Sequence, residues 1–385
     1  AGGEGGSGGS MDGYRARPVA PPRPDPKLYT EYLIAACRCG RPEAAIEVFE
    51  SHNFPRTSYT CTAAIKAYGE CQQWEKAEEL YQLMARSSAR NVAAMAPSGI
   101  THSALLSAYE KCGQWQRAVM FLTQIRAAED EAAAAEAMAA TAAAIRAANA
   151  AGEEKAGGRG ASPSFPFFHS RSVASSVGKK GGRNGLEPKR AKGRVKVQEI
   201  HYNIAMSACG KCGEWARAEI IFNEMNKYGV PPSAVSYSTL IAAYGAAGEE
   251  ERANKRFKEM VDVSPPLVPD DYTFVGLMLA PAGRGDIPMC LEIKRQMPAY
   301  GVKPTVHVYN ELMRAADVAA RYELAVEFYQ QMIVRGITPN VTTEELLRGV
   351  GRKGVDFYED QQLAASFGTL VAGLIAMAGM VSGNW

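Results

Sequence analysis

The chain has 385 residues, 46% of them hydrophobic, and a formal net charge of +2. That much apolar material excludes a wholly disordered chain, and the near-neutral total excludes attraction to polyanions over the whole surface. Eight cysteines are too sparse for a secreted disulfide scaffold, so a reducing compartment is expected.

Residues 1–25, opening "AGGEGGSGGS", are Gly- and Pro-rich and are expected to be disordered. From Pro26 the chain repeats itself. "SYTCTAAIKAYGECQQWEKAEELYQLM" is followed by "THSALLSAYEKCGQWQRAVMFLTQI", and later by "HYNIAMSACGKCGEWARAEIIFNEMNKYGVPPS" and "VYNELMRAADVAARYELAVEFYQQMIVRGITPN". Seven units begin near Pro26, Ser58, Gly99, Glu199, Ala234, Asp271 and Val306, and those at 199–233, 271–305 and 306–340 are each 35 residues long. Units one to three occupy 26–126, and units four to seven with a half-unit occupy 199–350.

Each unit has the pattern of two helices joined by a small or Gly-rich turn. The first carries apolar residues at helical spacing, as Tyr237, Leu240, Ile241 and Tyr244 do. The second carries Ala at one fixed place (Ala45, Ala77, Ala118, Ala218, Ala253, Ala325), with Cys290 substituting once, as close helix packing requires. Trp74, Trp115 and Trp215 share one place at the start of that helix. The pair Cys209 and Cys212 has the spacing of a zinc or redox dithiol. In register, however, Cys39, Cys71, Cys112 and Cys212 all fall in the turn, and Cys209 takes the place of Tyr68, Tyr109 and Tyr244. The thiols therefore read as scaffolding.

Residues 127–198 interrupt the array. An Ala-rich stretch of high helix propensity is expected to prolong the preceding helix, and a basic segment, disordered by composition, follows with Phe165, Phe167 and Phe168. That segment suits either a solvated tether or contact with phosphates. Residues 351–362 read as a linker. From Leu363 to Val381 there are 19 uncharged residues with Ala364, Gly368, Ala372 and Ala376 at every fourth place, which predicts a membrane helix at 363–381. A helix capping the array is the alternative.

The five histidines form no local metal constellation, and there is no phosphate-loop, nucleophile-elbow or deaminase signature: His201 is followed two residues on by Asn203. A non-enzyme without metal or cofactor is expected.

The 35-residue period, the "KCG-x-W" turn and the closing Gly-Val/Ile-x-Pro resemble the pentatricopeptide repeat family. The resemblance implies an all-α, right-handed solenoid whose inner face binds single-stranded RNA, one base per unit, in a plastid or mitochondrion. In that family the fifth and last residues of a unit read the base and the second packs against it. Carried onto this chain, Asn203 with Ser233 resembles a pyrimidine reader, with Ile200 packing. Ser238 with Asp270 resembles a guanine reader, with Val235 packing. Asn310 with Asn340 is again pyrimidine-like, with His307 in the packing place. Thr30 with Thr57 and Thr62 with Ser98 fit no strong combination, Ser103 would pair with Gln198 across the insertion, and Val275 with Thr305 departs from the pattern.

The expected function is RNA binding in transcript processing, stability or translation. Membrane-protein partners would be reached through the C-terminal helix, with the solenoid on the stromal or matrix side. The alternative is a structural or adaptor subunit of a membrane or ribosomal complex that takes protein partners on the concave face.

Overall fold

The computed structural model describes residues 26–51, 56–89, 95–156, 196–357 and 361–382. The expectations for residues 1–25, for the basic segment and for Phe165, Phe167 and Phe168 lie outside them. Sixteen α-helices and no strand occur among the described residues. The first helices of the seven units are α1 (Pro26–Arg38), α3 (Ser58–Glu70), α5 (Gly99–Lys111), α7 (Glu199–Lys211), α9 (Ala234–Ala246), α11 (Asp271–Gly283) and α13 (Val306–Val318). Their partners are α2 (Pro42–Ser51), α4 (Trp74–Ala89), α6 (Trp115–Ala156), α8 (Trp215–Lys227), α10 (Glu250–Asp262), α12 (Ile287–Gln296) and α14 (Tyr322–Val334). Then come α15 (Val341–Phe357) and α16 (Gln361–Ser382).

Local chemistry sets these bounds. The last residue of a unit is the N-cap of the next first helix, as at Thr57, Ser98, Ser233 and Asp270, and the hydroxyl of Thr60, Thr101, Ser236 or Thr273 completes a capping box. The turn inside a unit passes through a left-handed residue, glycine at Gly40, Gly113, Gly213, Gly248 and Gly285. The recurrent Ala45, Ala77, Ala118, Ala218, Ala253 and Ala325, and Cys290, are fully or almost fully buried where the paired helices meet.

Each first helix packs on the first helix of the next unit along the whole array, whereas second helices pack chiefly on first helices. The first helices therefore line the short-radius, concave side of a right-handed solenoid. Approach is close: a Cβ on Gly210 would lie 2.8 Å from Ala243 Cβ, and one on Gly69 equally near Ala108 Cβ.

The insertion does not break the stack. Ser207 Oγ of α7 donates to Glu110 Oε1 of α5 at 2.5 Å, His201 Nε2 meets Gly99 O at 3.1 Å, and Arg126 pairs with Glu224. Helix α6 runs on past its unit, its side chains exposed from Asp130 to Thr141 and beyond to 143. The chain comes back to its point of departure, where the Val197 N–H donates to Glu129 Oε2 at 3.0 Å.

Two C-terminal expectations are corrected. Residues 351–357 continue α15 and are not a linker, because Gly351 and Gly354, poor helix formers in isolation, face α16 and let it approach. The 363–381 stretch lies in α16, which folds back on α15 and buries Phe367, Val371 and Leu374, while the Tyr329 hydroxyl donates to Leu374 O at 3.4 Å. Among the described residues no helix is long and apolar enough to cross a membrane. Ala372 and Ala376 of the small-residue stripe stay exposed, and the buried face is set one residue away from it.

Candidate nucleic-acid interface

Five residues at the second place of successive first helices, Tyr59, Ile100, Ile200, Val235 and Tyr272, are between 47% and 77% exposed. Apolar side chains so placed gain nothing from the core and form a row along the concave side. Ile200 and Val235 were expected there. Tyr59, Ile100 and Tyr272 are additions, and their signal was the same place in the register.

Behind the row lie the candidate base-reading pairs. In the fifth unit the Ser238 hydroxyl lies 3.1 Å from Asp270 Oδ1 and 2.7 Å from Thr273 Oγ1, and Asp270 Oδ1 also accepts the Thr273 N–H at 2.8 Å. In the seventh, Asn310 Nδ2 donates to Asn340 Oδ1 at 3.2 Å, and Thr343 Oγ1 donates to Asn310 Oδ1 at 2.8 Å. Asp270 and Asn340 also cap the helices that follow, so the side chains of both pairs are held by hydrogen bonds within the chain.

In the fourth unit the pair is bridged. Glu199, the first residue of the unit, accepts from Asn203 Nδ2 at 3.1 Å, from Ser236 Oγ at 3.3 Å and from Ser233 Oγ. Sequence reasoning missed this acid because its partners lie up to 37 residues away. A related contact joins Thr305 Oγ1 to Asp271 Oδ2 at 3.1 Å in the sixth unit, whose fifth residue is Val275. In the second unit the hydroxyls of Thr62 and Ser98 each hydrogen-bond Thr101 Oγ1, at 2.8 and 3.1 Å. Thr57 is engaged with Thr60, and Ser103 donates to Gly99 O at 3.1 Å.

Two grooves open on this side. One of about 520 Å³ lies between Tyr59 and Ile100, floored by Thr62 and Ser98, with Thr30 and the basic Arg38 and Lys66 at its edge. The other, about 440 Å³, lies between Ile200 and Val235 over Asn203, Ile204 and Ser207, with Glu110 and Glu199 as walls.

The remaining chemistry is structural. Cys209 is fully buried and its thiol is pushed up to about 12 by burial first and the neighbouring Cys212 second, while Cys212 is exposed in the turn. Among the described residues no group of three or more His, Cys, Asp or Glu is placed to hold a metal ion.

A stack of helical hairpins with apolar side chains and capped polar pairs along its first helices is an α-solenoid repeat protein. The chain belongs to the pentatricopeptide repeat family. A PPR repeat family model matches residues 198–245, a pentatricopeptide repeat domain model matches 292–349, and a PPR repeat model matches 59–88, 100–128 and 235–263. Small ribosomal subunit protein mL103 (rPPR7) of Arabidopsis thaliana is 23% identical over 139 residues, 36% of this chain and 34% of that protein. The crystal structure of the pentatricopeptide repeat protein PPR10 from maize is similar at a TM-score of 0.49 and 21% identity, over 92% of this chain and 45% of that one. The PPR domain of Arabidopsis thaliana protein-only RNase P 1, in complex with tRNA, gives 0.35 at 20% identity, over 45% of this chain and 86% of that one. The matches thus span less than half of the ribosomal relative and of the maize protein.

Proposed function

We propose that this chain binds single-stranded RNA along its first helices, one base per unit, and acts in transcript processing, stability or translation in a plastid or mitochondrion. The observation that carries the proposal is the exposed row from Tyr59 to Tyr272 standing in front of prearranged hydrogen-bonding pairs. A base slotted between consecutive members of the row stacks on apolar surface while its edge meets the pair behind. Stacking is worth about 1–3 kcal/mol per base, so three well-equipped units supply roughly 3–9 kcal/mol, against about 8 kcal/mol for micromolar binding. Moderate affinity with real sequence preference is the expected regime. No catalytic step is assigned.

Selection from a randomised RNA pool by the full chain, at two salt concentrations, tests the proposal. The expected enrichment for units five to seven is guanine, any base, then pyrimidine, and Asn310→Ala together with Asn340→Ala should erase the pyrimidine alone. A second reading, a structural subunit of a ribosomal assembly, is favoured by the ribosomal relative and by the weak pairs of units one, two, three and six. Salt-sensitive binding without any motif would support it and sink base reading.

A further inference from the structure

We propose that Glu199 sets the base preference of the fourth unit and turns it from pyrimidine to guanine; the inference rests on the base-reading function proposed above. In the fifth and seventh units the two reading side chains touch each other directly. The first residues of those units, Ala234 and Val306, bring no polar side chain. In the fourth unit the carboxylate of Glu199 stands between Asn203 and Ser233 and ties both to one oxygen, Oε1.

The hydrogen-bond inventory then changes sign. A carboxylate only accepts, and a serine hydroxyl has a single proton to give. Ser233 donates that proton to Glu199 and accepts the Val235 N–H at 3.1 Å as helix cap. Asn203 turns its amide nitrogen toward Glu199, since the reverse orientation would set two oxygens face to face. Asn203 Oδ1 is left buried with no partner. Glu110, the other acid of the groove, is already engaged by Ser207 and by Lys211 Nζ at 2.9 Å. What a base between Ile200 and Val235 meets at this pair is therefore the carboxylate of Glu199, which can only accept.

Guanine alone presents two adjacent donors, N1–H and the N2 amino group, on its Watson–Crick edge. Uracil, cytosine and adenine each present one donor group beside an acceptor, which a carboxylate repels. A site that can only accept therefore selects guanine.

The test is selection from the same randomised pool by the full chain and by its Glu199→Gln and Glu199→Ala variants. The wild-type motif is expected to carry guanine at two consecutive positions, for units four and five, with a preference over pyrimidine of about tenfold at the first. Both variants should lose the first guanine, Glu199→Ala in favour of pyrimidine, and keep the second, which also reports that the array is folded. Pyrimidine at the first position of the wild-type motif, or a motif unmoved in both variants, would overturn the inference and leave base reading standing. Loss in Glu199→Ala alone would trace the effect to packing and overturn it as well. No motif from the wild type would overturn both.

Discussion

Ala320 holds a φ of +53° in the turn between α13 and α14, where five other units place glycine. The left-handed conformation costs an L-residue about 1–2 kcal/mol, and glycine's greater unfolded-state freedom returns roughly 0.5–1 kcal/mol of that. Ala320→Gly should therefore raise stability by about 0.5–1 kcal/mol, read as a higher urea midpoint at unchanged slope. Gln72, at φ +60° in the second unit, should gain less from the same change, because its Nε2 donates to Lys111 O at 3.0 Å. His102 is a second residue whose surroundings decide its behaviour. It is buried among Tyr81, Phe121 and His201, and its pKa is lowered to about 4, by burial first and by His201 second. Above pH 6.5 the imidazole is neutral whether the chain is folded or not, so nothing is gained or lost there. Between pH 6.5 and 4 the unfolded chain takes up a proton that the folded one refuses, and stability falls by up to about 3 kcal/mol. Comparing urea midpoints of the wild type and His102→Leu across that window checks this: the difference between their pH slopes should vanish above pH 7.

At the level of helices, α15 and α16 show why composition misleads. An uncharged 19-residue run has the length of a membrane span, yet its Phe367, Val371 and Leu374 lie on one face against α15. A Cβ added at Gly351 would come within 2.7 Å of Val371 Cγ1, and one at Gly354 would overlap the Phe367 ring. Gly354→Leu is therefore expected to cost about 1–3 kcal/mol by overpacking and to release α16, seen as faster amide exchange over 365–376. Gly349 has nothing near its Cβ position, so Gly349→Ala should instead stabilise α15 by about 1 kcal/mol through helix propensity. Slowed or unchanged exchange in Gly354→Leu would refute the docking of α16. Within the units, by contrast, the helices were legible. Their apolar spacing and turn residues are local signals, and the recurrent Ala, replaced by Cys290 in the sixth unit, is buried because two backbones meet there.

At the scale of the whole molecule, the ion pairs between units among the described residues join nearest neighbours. Lys76 with Glu50, Lys111 with Glu70, Lys211 with Glu110, Arg256 with Glu219 and Lys353 with Asp317 each join one unit to the next. All but the part-buried Arg256–Glu219 pair have an exposed lysine, and exposed pairs are worth about 0.2–1 kcal/mol each, so the buried seams carry most of the coupling. Since the chain leaves the array at Glu129 and returns to it at Val197, residues 131–195 can be replaced by a short Gly/Ser linker. The shortened chain should keep the seam between units three and four and unfold at an equal or higher urea concentration, since each halving of a loop returns about 0.6 kcal/mol. An earlier separate transition for units one to three would show that the insertion is needed to join the halves.

The period, the apolar spacing and the turn residues were sufficient to establish the units, the helices within them and the solenoid, because these are encoded locally along the chain and repeated. The bridging of Asn203 and Ser233 by Glu199, the docking of α16 and the return of the chain from Glu129 to Val197 were not legible there. These depend on partners some 34, 20 and 68 residues apart, brought together by the stacking of units, and contacts at that range leave no periodic trace in composition.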